Sequence, residues 1–164
     1  KFFPGINVGG YSGGVGNTIQ NHQVGYAPSS FYVYEQAYGV NGQPIDGVYI
    51  DRNKDGDVNE KDKYRFKKPA ADVFYGFFTN VTYKNWDMSM SWRGSWGNYY
   101  YNNVDSQFGW KNQVLIRDTD LGNGVTNLLE TNFTSADSKR YESDYYIQDA
   151  SFIRLDNITI GYSF

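Results

Sequence analysis

The chain has 164 residues, a net charge of −3 and a pI near 5.0, so it lacks the basic field needed to hold nucleic-acid phosphates. It contains no cysteine, which excludes disulfides and thiol chemistry. Aromatics make up 19% of residues (16 Tyr, 11 Phe, 4 Trp) beside 18 Gly and 4 Pro, a composition that suits pleated strands better than helices.

No stretch approaches the ~18 apolar residues of a membrane helix. The mean hydropathy of −0.65 reads as that of a soluble protein. A membrane barrel gives a similar mean, because polar lumen-facing residues alternate with apolar lipid-facing ones. The first ten residues, KFFPGINVGG, lack a basic segment followed by an apolar one. A barrel of the outer membrane needs a signal peptide, so on that reading the expectation is that one was removed or that the true start lies elsewhere.

In chain order, residues 5–29 are rich in Gly, Asn and Ser and read as irregular structure with one short strand. Residues 31–39 (FYVYEQAYG) read as a strand. Residues 41–72 are polar, without hydrophobic periodicity, and read as a long loop.

Residues 73–96 carry the strongest pattern. Tyr75, Phe77, Thr79, Val81 and Tyr83 share one parity; Gly76, Phe78, Asn80, Thr82 and Lys84 share the other. Lys84-Asn85 reads as a two-residue turn. Beyond it, Trp86, Met88, Met90 and Trp92 alternate with Asp87, Ser89, Ser91 and Arg93. Two adjacent alternating runs signal a hairpin. Arms of ~10 residues cross a bilayer when tilted. Each apolar row is bounded by Trp or Tyr, the girdle pattern of transmembrane barrels, and the opposite face of the second arm is small and polar. A soluble sandwich also alternates and stays open on this pattern.

Residues 97–150 form a second polar stretch with a weak helical pattern near 135–144, and 151–164 (SFIRLDNITIGYSF) read as another strand. There Ile158, Ile160, Tyr162 and Phe164 share a parity. The turn at 84–85 is short and its flanking connections are long. Outer-membrane barrels have short periplasmic turns and long extracellular loops. The Lys84 end is therefore expected in the periplasm, and 41–72 and 97–150 outside the cell.

The sharpest motif is Asp51 to Asp62. It matches the calcium-loop template with Asp51, Asn53 and Asp55 at positions 1, 3 and 5 and Gly56 at the sharp turn. Asp57 would offer its backbone carbonyl, Asn59 a direct or water-mediated contact, and Asp62 stands where an EF-hand has Glu. The expectation is a structural Ca²⁺ clip, nearer the dockerin variant than a sensor EF-hand. The plain alternative is an Asp/Asn/Gly-rich surface turn.

Trp96, Tyr99, Tyr100, Tyr101 and Trp110 cluster at the outer end of a strand and in the loop beyond it. Flat aromatic faces can stack on sugars, with Asn98, Asn102, Asn103 and Asp105 as hydrogen-bonding neighbours; Trp96, Tyr99, Tyr100 and Trp110 are the candidate ligand contacts. Membrane girdle and loop packing are the competing roles. His22 is the lone histidine, so histidine metal sites and catalytic triads have little to work with. Asp118, Asp120 and Glu130 lack any spacing that marks a glycosidase pair.

Four segments in order resemble the SusC/RagA-type TonB-dependent transporters of Bacteroidetes: VGYAPSSFYVYEQAYGV, YIDRNKDGDVNEKDK, FYGFFTNVTYKNWDMSMSWRGSWGNYYYN and DASFIRLDNITIGYSF. The resemblance covers nearly the whole chain, most weakly at 111–140, and is to the C-terminal portion of that family. It implies an all-β, antiparallel transmembrane barrel segment with long extracellular loops, part of a plugged barrel of about 22 strands. It also implies outer-membrane import of oligosaccharide or peptide without covalent chemistry, a SusD-like lipoprotein lid, and energy coupling to TonB. Plug, TonB box and most strands are missing from this sequence. Family members usually run on past the Asn-Ile-Thr-x-Gly-Tyr strand, so Phe164 reads as a truncation. An isolated run of strands has open edges that a bilayer does not tolerate, so the rest of the barrel and lipid are expected neighbours. The runner-up is a soluble extracellular calcium-stabilised β-sandwich that binds glycans; a glycan-degrading enzyme ranks below it.

Overall fold

The computed structural model describes residues 12–13, 17–111, 115–117, 120–121, 124–134 and 138–164. In chain order the strands are β1 (Ser12–Gly13), β2 (Asn17–Thr18), β3 (Gln20–Asn21), β4 (Ser30–Val33), β5 (Gln36–Tyr38), β6 (Pro44–Tyr49), β7 (Tyr64–Arg65), β8 (Val73–Tyr83), β9 (Trp86–Trp96), β10 (Tyr99–Tyr101), β11 (Leu115–Arg117), β12 (Asp120–Leu121), β13 (Ile147–Asp149) and β14 (Phe152–Tyr162). The short helices are α1 (Asn103–Phe108), α2 (Asn127–Glu130) and α3 (Ser138–Tyr141). Among the described residues no helix is long and apolar enough to cross a membrane.

The chain divides into two compact units. One comprises residues 70–99 and 149–164 and is a three-stranded antiparallel sheet in the order β14-β9-β8. The hairpin pairs without a slip from Val73↔Trp96 to Tyr83↔Trp86. Its turn is the expected Lys84-Asn85, where Lys84 takes a left-handed φ of 53°. At the far end Ser95 Oγ donates to Asn98 Oδ1 at 2.9 Å and Gly97 N–H to Ser151 Oγ at 3.0 Å. β14 pairs with β9 from Phe152↔Ser95 to Tyr162↔Trp86, with one irregularity between Leu155 and Asn157. Asp156 is the extra residue there, a β-bulge.

The other unit, residues 1–69 and 100–148, is built of short strands and helical turns. The strand expected at 31–39 is split: β4 ends at Val33 and β5 begins at Gln36. Between them Tyr34 bridges to Ser143 in parallel and its N–H donates to Glu142 O at 2.8 Å. The stretch 41–72 is not wholly loop, because β6 pairs back on β5 and β7 on β4. Polar sequence hid both. In the weakly helical stretch near 135–144, α3 occupies 138–141, and 135–137 lie outside the described residues.

This unit owns the buried core: Phe31, Val33, Tyr34, Phe133, Tyr146 and Ile147. Phe133, Tyr145 and Tyr146 meet edge to face, with centroids 5.3 Å (Phe133–Tyr145) and 5.1 Å (Tyr145–Tyr146) apart. The core is also polar. Buried Gln36 donates through Nε2 to Ile45 O (2.7 Å) and Val48 O (3.1 Å) and accepts from Ser143 Oγ at 3.1 Å. Arg140 is fully buried, donates to Ser106 O at 2.7 Å, and lies over the rings of Tyr141 and Trp110.

Candidate functional site

In an antiparallel sheet, residues directly opposite one another share a face. The register therefore sets the rows Tyr83–Trp86–Tyr162, Val81–Met88–Ile160, Thr79–Met90–Ile158, Phe77–Trp92–Leu155 and Tyr75–Gly94–Ile153 on one side. Val73 and Trp96 end that side. It is an almost unbroken apolar surface, and it is open: Phe77 is 59% exposed, Trp86 55% and Ile160 63%.

An eleven-residue strand is roughly 35 Å long at ~3.4 Å per residue. Tilted ~45°, it spans the ~25 Å apolar band of a barrel wall. Aromatics mark both ends. Trp86 and Tyr162 meet edge to face at 4.9 Å beside the turn. Trp92 is not the outer limit expected from sequence: β9 continues, and Trp96 is the last aromatic of the row. Grooves of about 250 Å³ (Val81, Tyr83, Trp86, Met88, Ile160, Asp87) and 320 Å³ (Tyr75, Phe77, Trp92, Ile153) roughen this face. Gly94 serves one of them. A Cβ there would collide with the Tyr75 ring, whose hydroxyl crosses to donate to Phe152 O at 3.1 Å.

The opposite face holds Asn80, Thr82, Asp87, Ser89, Ser91, Asn157 and Thr159. It is not uniformly small and polar, though. Phe74, Phe78 and Phe152 also stand on it, together with Arg93 and Arg154. The bulge explains how β14 serves both faces. Leu155 and Ile158 differ in parity, yet the extra residue Asp156 puts both on the apolar side.

The Asp51–Asp62 loop is a closed ring of side chain-to-backbone hydrogen bonds. Asp51 accepts from the N–H groups of Lys54 (2.6 Å) and Gly56 (2.8 Å), Asn53 from Asp55 (2.8 Å) and Asp55 from Asp57 (3.0 Å). Lys54 and Gly56 are left-handed, φ 62° and 93°; Gly56 supplies the turn the motif requires. Asp62 is buried and accepts from Asn59 (2.8 Å), Arg52 (3.0 Å) and Asn53 (3.1 Å). These bonds, that from Asn59 foremost, hold its carboxyl below the usual range. Asn59 caps the 3₁₀ turn 60–62 in a reciprocal capping box with Asp62.

The donors Asp51, Asn53, Asp55, Asp57, Asn59 and Asp62 are all oxygen, as a hard cation prefers. Among the described residues no three His, Cys, Asp or Glu side chains already converge as a metal cage. Asp62 faces backbone amides across the loop.

The loop is also fastened to the 139–144 segment of its own unit. Lys139 Nζ donates to Val58 O at 2.8 Å, Lys63 pairs with both Glu60 and Glu142, and Tyr64 OH donates to Asp144 Oδ2 at 2.7 Å. Burial pushes the Asp144 carboxyl up.

The aromatic candidates separate. Trp96 is on the apolar face, opposite Val73, where a girdle residue belongs. Tyr99 is half-buried and belongs to the sheet unit. Tyr100, 44% exposed, donates to Gln148 Oε1 at 2.6 Å. Trp110 donates to Gln107 O at 3.0 Å and has Arg140 against its ring. Tyr101 donates to Tyr141 O at 2.7 Å, and burial raises its pKa to about 12. Asn102 caps α1 through Asp105 N–H. Asp118 lies outside the described residues, as does the side chain of Asp120. His22 Nε2 sits 3.2 Å from Ser29 Oγ, a local loop contact.

No family model matches the chain. Among curated proteins it is 42% identical, over 93% of its length, to the TonB-dependent receptor SusC of Bacteroides thetaiotaomicron. This chain is a segment of a SusC-type TonB-dependent receptor. It is also 24% and 29% identical, over 85% and 70% of its length, to the TonB-dependent receptors P3 and P26 of Formosa agariphila. The segment spans 12–15% of the lengths of these relatives. Receptors of this type are outer-membrane proteins and transporters rather than enzymes.

Sequence reasoning about this receptor segment missed Phe74, Phe152, Arg154 and Asp156 as members of the polar face. Phe74 was available from parity with Phe78. The β14 residues were not, because a bulge resets the parity at a position no alternation count reveals.

Proposed function

We propose that this chain contributes wall strands and extracellular loops to an outer-membrane nutrient importer. The observation that carries it is the open apolar face of β8, β9 and β14, aromatic at both ends, in a chain 42% identical to a TonB-dependent receptor. The whole barrel has about 22 strands. Its plug and TonB box lie in the parts of the receptor beyond this chain. The Lys84-Asn85 turn faces the periplasm, and the connections 41–72 and 97–150 face outside the cell.

The cargo is an oligosaccharide, with peptide as the second class, delivered with a SusD-like lipoprotein and drawn in by TonB. Solvent-facing Tyr38, Val40, Ile45 and Val48 around the β5–β6 hairpin support a partner on the outer unit. A Ca²⁺ clip in the Asp51–Asp62 loop is supported by ligand spacing, oxygen-only donors and left-handed Gly56.

Uptake of labelled oligosaccharides and peptides by cells carrying the full-length receptor tests the reading. Accumulation that disappears when TonB is deleted is expected. Uptake of neither class, or uptake indifferent to TonB, contradicts it.

A further inference from the structure

We propose that the polar face of the β8–β9–β14 sheet carries a ligand subsite for carboxylate-bearing sugars, built from Phe74, Gly76, Phe78, Arg93 and Arg154 and organised by Asp156. The proposal rests on the import reading, which makes this face the lumen wall. A wall that merely wets a channel needs only the Asn, Ser and Thr of its lower rows. The upper rows instead expose Phe74 (78%), Phe78 (69%) and Phe152 (46%), large apolar rings on a hydrated side.

Between the two β8 rings lies Gly76, in the same row as Arg93 and Arg154. A Cβ at Gly76 would meet nothing nearer than Trp92 O at 3.8 Å, so the floor between the rings is open. Phe74 and Phe78 are four residues apart on one face, roughly 13 Å by strand rise. Two exposed rings thus flank an open backbone step with a cationic side.

Asp156 sets the charge. Its Oδ1 lies 3.0 Å from Arg93 Nε and 3.5 Å from Arg154 Nε. One carboxylate between two guanidiniums leaves a net charge of about +1 and holds both arginines in the row beside Gly76. Both remain more than half exposed, at 59% and 66%. A guanidinium fork matches a carboxylate in two parallel hydrogen bonds, and an aromatic face accepts the C–H side of a pyranose. The exposed phenyl faces beside the arginines favour a sugar, whose C–H face can stack on one of them, over an acidic peptide, whose carboxylates need the arginines alone.

The test measures binding to the full-length receptor with its surface partner. The probes are a neutral gluco-oligosaccharide, the same oligomer oxidised to carboxylate at C6, and an oligoglutamate of equal charge. The carboxylated sugar is expected to bind about tenfold more tightly than the neutral one at low salt, the worth of one charge-assisted pair. Arg93→Gln with Arg154→Gln should abolish that preference, and Asp156→Asn should enlarge it. Heat-modifiable electrophoretic mobility reports that each variant barrel is folded. Equal affinity for the two sugars, or a preference that survives the double substitution, overturns the subsite while leaving import intact. Oligoglutamate binding more tightly than the carboxylated sugar overturns the sugar assignment. Failure of every probe to bind overturns the subsite, while the import reading is decided separately by the TonB-dependent uptake assay.

Discussion

The two units of this chain solve the burial problem in opposite ways. The loop-rich unit hides Phe31, Val33 and Tyr146 inside itself, beside a buried Arg140, Asp62 and Gln36 that are held by hydrogen bonds. The sheet unit hides almost nothing. Its apolar side chains are its surface, and its polar ones form the other surface. One unit buries its apolar side chains, and the other keeps them on one open face with polar ones on the opposite face, as the proposed wall strands require. A single mean hydropathy averages them into a number that describes neither.

Changes that exchange these environments should therefore be the most damaging. Deleting Asp156 removes the bulge and turns Phe152–Leu155 over. Ile153 and Leu155 move to the lumen and Arg154 to the lipid. The cost should exceed the ~2–4 kcal/mol of one arginine in mid-bilayer, seen as loss of the folded band in heat-modifiable electrophoresis. Phe31→Ala should cost ~3–5 kcal/mol, but only in the loop-rich unit. Limited proteolysis should cut the outer loops while the barrel still inserts.

Met90→Arg should cost ~2–4 kcal/mol in refolding into lipid, and Ser91→Arg, one residue on, well under half of that. Equal effects would erase the distinction between the faces. The smallest effect belongs to Asn59→Ala, which removes a cap worth about 1 kcal/mol. It should speed proteolysis near residues 51–62, and millimolar Ca²⁺ should slow that cleavage in the parent protein but less in the variant.

The sequence discloses these two regions unequally. Trp86 to Arg93 could be assigned to faces from alternation alone, because a strand between two solvents writes a period of two. The same arithmetic failed at Asp156, where one added residue reverses the parity. It failed again in 41–72, where β6 and β7 pair through backbone groups that polar side chains do not advertise. The Asp51–Asp62 motif was legible, since each Asx turn needs its residue at a fixed offset. Its fastening to 139–144 was not, because Lys63–Glu142 and Tyr64–Asp144 join residues far apart in sequence.

The contrast between lipid and lumen is tested most directly by spin labels placed one at a time along 86–96 of a cysteine-free full-length receptor in liposomes. Collision with oxygen, which concentrates in hydrocarbon, should peak at positions 86, 88, 90 and 92. Collision with a water-soluble nickel chelate should peak at 87, 89, 91 and 93. Two curves in opposite phase support the account; curves without a two-residue period, or even-numbered labels shielded from both reagents, contradict it.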